Sequence, residues 1–139
     1  MKWIVILYLF YTSSLLGQST KKIAQEVLAK QTTFWNNGDI EGFMQTYWKS
    51  DELLFLGKDG YTKGWQATLD RYHQRYPNRP AMGTLKFTLH EVHKRSKSVL
   101  SVIGEYYLTR EGIEDLNGYF FLLMKNIKGE WLIVSDSTH

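Results

Sequence analysis

The sequence predicts an α+β fold in which three N-terminal helices pack on an antiparallel sheet. Two changes of rhythm carry that expectation. Apolar residues recur at three- and four-residue spacing as far as Tyr76, and from Met82 onward they recur at every second residue. The long strand-forming runs are also joined by short turns such as Lys128-Gly129, which is the pattern of an antiparallel meander.

The N-terminus comes before any of these elements. Lys2 is followed by an apolar block from Trp3 to Tyr11 and then by small and polar residues ending in Gly17-Gln18-Ser19. One positive charge, a short apolar stretch and a small-residue patch are the pattern of a secretory signal peptide. A spanning helix needs roughly 20 apolar residues, and Thr12, Ser13 and Ser14 interrupt this run too early. The expectation is a leader over residues 1–17, with cleavage after Gly17 or after Ser19. The mature protein is then exported, periplasmic or secreted, and has no stable membrane anchor.

In the first helix Ala24, Val27, Leu28, Phe34 and Trp35 form one stripe, and Asn37-Gly38 ends it. Asp39 is placed to cap a second helix carrying Ile40, Phe43, Met44, Tyr47 and Trp48, spaced i, i+3, i+4, i+7, i+8. Leu53 to Gly57 reads as a short strand running into the Asp59-Gly60 turn. Trp65, Leu69, Tyr72 and Tyr76 give a third helix, which Pro77 stops. Leu85, Phe87 and Leu89 then alternate with Lys86, Thr88 and His90, and the next strands cover residues 99–109, 119–125 and 131–138. The run Tyr119-Phe120-Phe121-Leu122-Leu123-Met124 is apolar on both faces. The helices cover one face, so the other calls for a second copy of the chain: a homodimer through the outer sheet face.

Composition narrows the function. The 139 residues suit one domain, and a net charge of +3 is too small a surplus to imply a polyanionic partner. The absence of cysteine excludes disulfides, thiolate metal sites and a cysteine nucleophile. Five Trp, nine Tyr and seven Phe suit a cavity lined with rings.

The order of elements, read with several short motifs, resembles the nuclear transport factor 2-like superfamily, and within it the SnoaL-like domains of unknown function. Trp35-Asn36-Asn37-Gly38-Asp39 running into Phe43 and Tyr47-Trp48 is similar to the start of those domains. Gly57-Lys58-Asp59-Gly60 with Gly64-Trp65 is similar to their hairpin into the third helix. Tyr76-Pro77, Gly118-Tyr119-Phe120 and the stretch from Gly129 to Asp136 are similar to the remainder. The likeness covers residues 22–138. It implies a cone-shaped, curved sheet with a pocket at its wide end, like that of ketosteroid-isomerase-like proteins. It leaves the chemistry open, because this scaffold hosts enzymes, binders and dimerisation modules.

Tyr47, Trp48, Phe55, Trp65, Leu69, Tyr72, Phe87, Tyr106 and Phe121 are the candidate lining, with the tyrosine hydroxyls as its polar tips. Asp136 is the candidate acid or base. It is read on the parity of Leu132 and Val134 near the end of the last strand, and burial there would raise its pKa. Ser137 stands where the SnoaL-like pattern commonly has histidine, so no Asp-His pair is expected. His90-Glu91-Val92-His93 lacks zincin spacing, and no motif calls for a metal or a cofactor. Lys94-Arg95-Ser96-Lys97 reads as a solvated hairpin tip, not a nucleic-acid surface. The expected function is binding of a small apolar or aromatic ligand. One alternative is an acid/base enzyme of isomerase, cyclase or dehydratase type using Asp136, and the other is a dimerisation module whose cavity is filled.

Overall fold

The protein is seen here as a computed structural model that describes the backbone of residues 4–139 and the side chains from residue 20. The expected leader falls at this end. Residues 1–3 lie outside the described residues, and only helical backbone is described for 4–19. No helix among the described residues is long and apolar enough to cross a membrane.

Helix α1 (Ile4–Asn36) buries Ala24, Val27, Leu28 and Trp35 of the predicted stripe, with Gln31 beside them, and leaves Phe34 half-buried. Gly38, at φ 77°, turns the chain out of it. Asp39 caps α2 (Ile40–Met44), its Oδ1 accepting the Gly42 N–H at 2.7 Å. The apolar spacing carries this helix on to Trp48, but it stops at Met44. The reason lies in the sheet: Ile133 N–H donates to the Thr46 carbonyl at 3.0 Å, and Trp48 N–H donates to the Ile133 carbonyl at 2.9 Å. Tyr47 is thereby held in a parallel bridge to Ile133, where helical geometry cannot persist.

The hairpin β1 (Leu54–Gly57) and β2 (Gly60–Lys63) leads into α3 (Trp65–Arg75), followed by one turn, α4 (Arg79–Met82), which the sequence reading omits. Asn78 caps that turn, accepting the Ala81 N–H at 3.0 Å. The remaining strands are β3 (Thr84–Ser96), β4 (Val99–Thr109), β5 (Leu116–Ile127) and β6 (Glu130–Thr138). They form the expected antiparallel meander within an open six-stranded sheet of order β2-β1-β6-β5-β4-β3. The short hairpin joins it through β1, which runs parallel to β6.

Bulges and one glycine bend the sheet around the helices. Register shifts fall between Leu89 and Glu91 and between Lys94 and Ser96 in β3, and a third lies in the β5–β6 pairing. At Gly104 a Cβ would run into the Phe120 ring, which packs edge-on to Phe87 at 5.4 Å between centroids. The core between helices and sheet includes Trp35, Phe43, Met44, Leu100, Val102, Met124 and Ile133. The opposite face of β4 and β5 leaves Ile103, Tyr107, Tyr119 and Phe121 exposed.

Candidate functional site

The concave face of the sheet and the helices do not close completely. They leave a cavity of about 130 Å³. Its walls are Leu28 and Trp35 of α1, Phe43 and Tyr47, Phe55 of β1, Tyr72 and Tyr76, and the inward residues of the long strands, among them Leu85, Phe87, Tyr106, Phe120 and Leu122. The Tyr72 ring lies within 6 Å of three others, edge-on to Trp35 (5.9 Å), Phe43 (5.2 Å) and Phe55 (5.7 Å). Such edge contacts contribute ~0.5–1.5 kcal/mol each beyond the area they bury. The open end carries Lys58, Arg71, Arg75, Asn117 and His139.

A buried polar cluster interrupts the apolar wall. Asp136 is only 5% exposed. Its Oδ2 accepts the Tyr47 hydroxyl at 2.6 Å and its Oδ1 accepts the Thr138 hydroxyl at 3.0 Å. Tyr47 in turn lies 3.4 Å from the Tyr72 hydroxyl. Gln31, also on the cavity wall, donates from Nε2 to Thr46 Oγ1 at 2.9 Å. A backbone irregularity points Asp136 inward. In the pairing with β5, Met124 faces Ile133 but Leu123 faces Ser135, so Val134 is an extra residue in β6. Strict alternation would put Asp136 on the face of Leu132 and Val134, as the sequence reading has it. The bulge instead turns Ile133 and Asp136 to the same side, both buried.

Burial pushes the Asp136 carboxyl up to about 6, while the hydrogen bonds from Tyr47 and Thr138 hold it down. Burial and the neighbouring Asp136 charge raise the Tyr47 and Tyr72 phenols well above their ordinary value, so both remain hydrogen-bond donors. The cluster therefore presents a carboxyl that exchanges its proton near neutrality, beside two fixed phenols, at the edge of an apolar space. It can anchor a polar group of a ligand or move a proton.

Five of the eight ring positions expected in the pocket line the cavity: Tyr47, Phe55, Tyr72, Phe87 and Tyr106. Trp48, Trp65 and Phe121 do not. Trp48 leaves with the backbone that bonds to Ile133. Trp65 is buried behind α2, its indole N–H donating to the Met44 carbonyl at 2.9 Å. Phe121 is on the outer face because Phe120, Leu122 and Met124 occupy the inward parity of β5. Leu69 is buried but off the cavity. Trp35, Phe43 and Tyr76 were visible as helical stripe residues, and their place on the wall follows only from how the helices dock. Thr138 and the cationic mouth had no sequence signal. His90 and His93 meet Glu105 and Glu91, each at 2.6 Å, and no cluster able to hold a metal occurs among the described residues.

A bent, open meander wrapped around helices, with a ring-lined pocket between them, defines the nuclear transport factor 2-like class. The chain belongs to that family. It is 31% identical to a nuclear transport factor 2-like protein of unknown function from Shewanella oneidensis MR-1, over 85% of this chain and 97% of that one, with a TM-score of 0.80. A ketosteroid isomerase-like protein from Erwinia carotovora atroseptica SCRI1043 shares the fold at 15% identity (84% and 92% covered, TM-score 0.66). So does a protein of unknown function from Pseudomonas putida KT2440 at 13% identity (87% and 85% covered, TM-score 0.65). No protein-family model matches the sequence. The search of curated proteins also gives no match.

Proposed function

We propose that the chain is an exported domain that binds a small apolar or aromatic molecule in its cavity and orients it by a hydrogen bond to the Asp136 cluster. The observation that carries this reading is the pairing of an open, ring-walled cavity with one buried carboxyl on its wall. Small-molecule sites have this character: mostly apolar walls with a few fixed polar groups. About 130 Å³ is slightly less than the ~150 Å³ cavity known to accept benzene, so the buried part of the ligand is about one ring. The same space argues against a cone filled by its own side chains. Thermal-shift screening of single-ring compounds tests the reading. A ligand at 100 times its Kd adds ~2.7 kcal/mol of stability, and Leu122→Trp, which narrows the cavity by putting a larger ring on its wall, should reduce the shift. If no single-ring compound stabilises the wild type, or if a shift is undiminished in the Leu122→Trp variant, the binding reading falls.

The acid/base alternative draws on the Asp136 carboxyl near pH 6, with a phenol 2.6 Å away. It calls for turnover of a bound compound that Asp136→Asn removes while binding is kept. Export rests on the leader-like N-terminus, and sequencing the N-terminus of the exported protein should begin at Gln18 or Thr20. A second copy covering Ile103, Tyr107, Tyr119 and Phe121 would bury the exposed outer patch and complete a homodimer.

A further inference from the structure

We propose that the ligand of this cavity is a small aromatic acid, with its ring among the aromatic walls and its carboxylate held at the mouth by Arg71 and Lys58. The inference rests on the reading that the cavity binds a ring, and adds the chemistry of the ligand's other end.

The mouth is built for an anion. Lys58 at the β1–β2 turn and Arg71 and Arg75 on α3 all border the opening. Asp59 engages Arg75 at 3.3 Å. Lys58 and Arg71 form no ion pair with any carboxylate among the described residues. Arg71 is also positioned. Its guanidinium carbon lies over the Phe55 ring, 5.1 Å from the centroid, which holds the cation beside the cavity wall. Gly57 leaves the space the guanidinium occupies, since a Cβ there would stand 2.7 Å from Arg71 Nη2. Phe55 therefore serves twice, as a cavity wall and as the platform for the cation.

Polarity inside the cavity agrees with this orientation. An anion placed deep would meet Asp136, a like charge once ionised, in a space of low dielectric where such repulsion is strong. An aromatic acid entering ring first keeps the two charges apart and sets its own beside two cations. A neutral aromatic gains nothing from the mouth, and an aromatic cation is repelled by it.

The test measures binding of 4-hydroxybenzoate, 4-hydroxyphenylacetate and 3-(4-hydroxyphenyl)propionate, whose ring hydroxyl can meet the Asp136 cluster, each against its own neutral amide, by calorimetry at low ionic strength and pH 7.5. The expected result is that at least one acid binds tenfold or more tightly than its amide, with the preference shrinking as salt is added. In Arg71→Met and Lys58→Met, which keep the apolar stems, the acid should lose at least fivefold more affinity than the amide, and Gly57→Ala should do the same by displacing the guanidinium. If amides bind as well as acids, or the preference survives the Arg71→Met/Lys58→Met double variant, the anion inference is overturned while the cavity reading stands. If neither acids nor amides bind, both are overturned.

Discussion

The Tyr47 hydroxyl donates to Asp136 Oδ2 at 2.6 Å across 89 positions of sequence, tying the end of the helical half of the chain to the last strand. The bond is possible only because Tyr47 has left α2 for its bridge with Ile133, while the bulge at Val134 turns Asp136 toward it. Two departures from regular structure thus build one contact.

Removing the donor exposes what the contact contributes. Tyr47→Phe should raise the Asp136 pKa above its present value of about 6, because a hydrogen bond that favours the ionised form is lost. Hydrogen bonds to charged groups contribute ~1.5–3 kcal/mol, so denaturation at pH 7.5 should show a loss of that size. At pH 5, where the carboxyl is protonated in both proteins, the loss should be smaller. Equal losses at the two pH values would mean that the bond does not act on the ionised carboxyl.

Replacing the acid should give the opposite sign. The Asp136 pKa is raised from 3.8 to about 6 on folding, so between those values the folded protein holds a proton that the unfolded chain has released. This group's contribution therefore falls as pH rises through that window, and the penalty is complete above it. With ~1.36 kcal/mol per pH unit, the penalty is on the order of 3 kcal/mol. Asp136→Asn keeps an oxygen for Tyr47 and an amide for Thr138. It should be more stable than the wild type at pH 7.5, about equal below pH 4, and flatter between, as read from urea midpoints at a series of pH values.

The fold was largely legible, because hydrophobic rhythm reports which faces are buried. The change of period near Met82 marks the end of the helical half and the start of the meander. The site was legible only where that rhythm held. Tyr72 and Phe87 sit on clean stripes and face the cavity. Tyr47 and Trp48 continue a helical spacing, but tertiary hydrogen bonds to Ile133 override it. Phe120 and Phe121 lie in a run with no parity to read, so the choice between them waits on the docked helices. Asp136 required the Val134 bulge, which has no signature in the sequence. Lys58 and Arg71 look like any solvated charges until the fold sets them at one opening.

Trp65 separates packing from binding. Trp65→Phe removes the indole N–H that the buried Met44 carbonyl accepts at 2.9 Å. The Met44 carbonyl keeps the Tyr47 N–H at 3.1 Å, so the loss is that of one ordinary hydrogen bond, ~0.5–1.5 kcal/mol, which should appear as a lower urea midpoint with an unchanged slope. Because Trp65 is off the cavity, the affinity for any compound that binds there should stay within about twofold, given how small non-contacting effects are at independent sites. A selective loss of ligand binding would return Trp65 to the pocket.

The outer sheet face supplies the last prediction. Ile103 and Phe121 pair directly across β4 and β5, and Tyr119 beside them is 58% exposed. In a monomer these side chains stand in water, whereas in a homodimer through this face they form its apolar centre. Sedimentation equilibrium of the wild type should therefore show a dimer. Phe121→Arg places a charge where two copies of the same face meet, each opposed to its own image, and should yield a monomer. Phe121 makes no part of the cavity wall, so the variant should keep its fold and its response to single-ring compounds. A wild type that sediments as a monomer at high protein concentration, or a variant that remains dimeric, would rule out this face as the contact between copies.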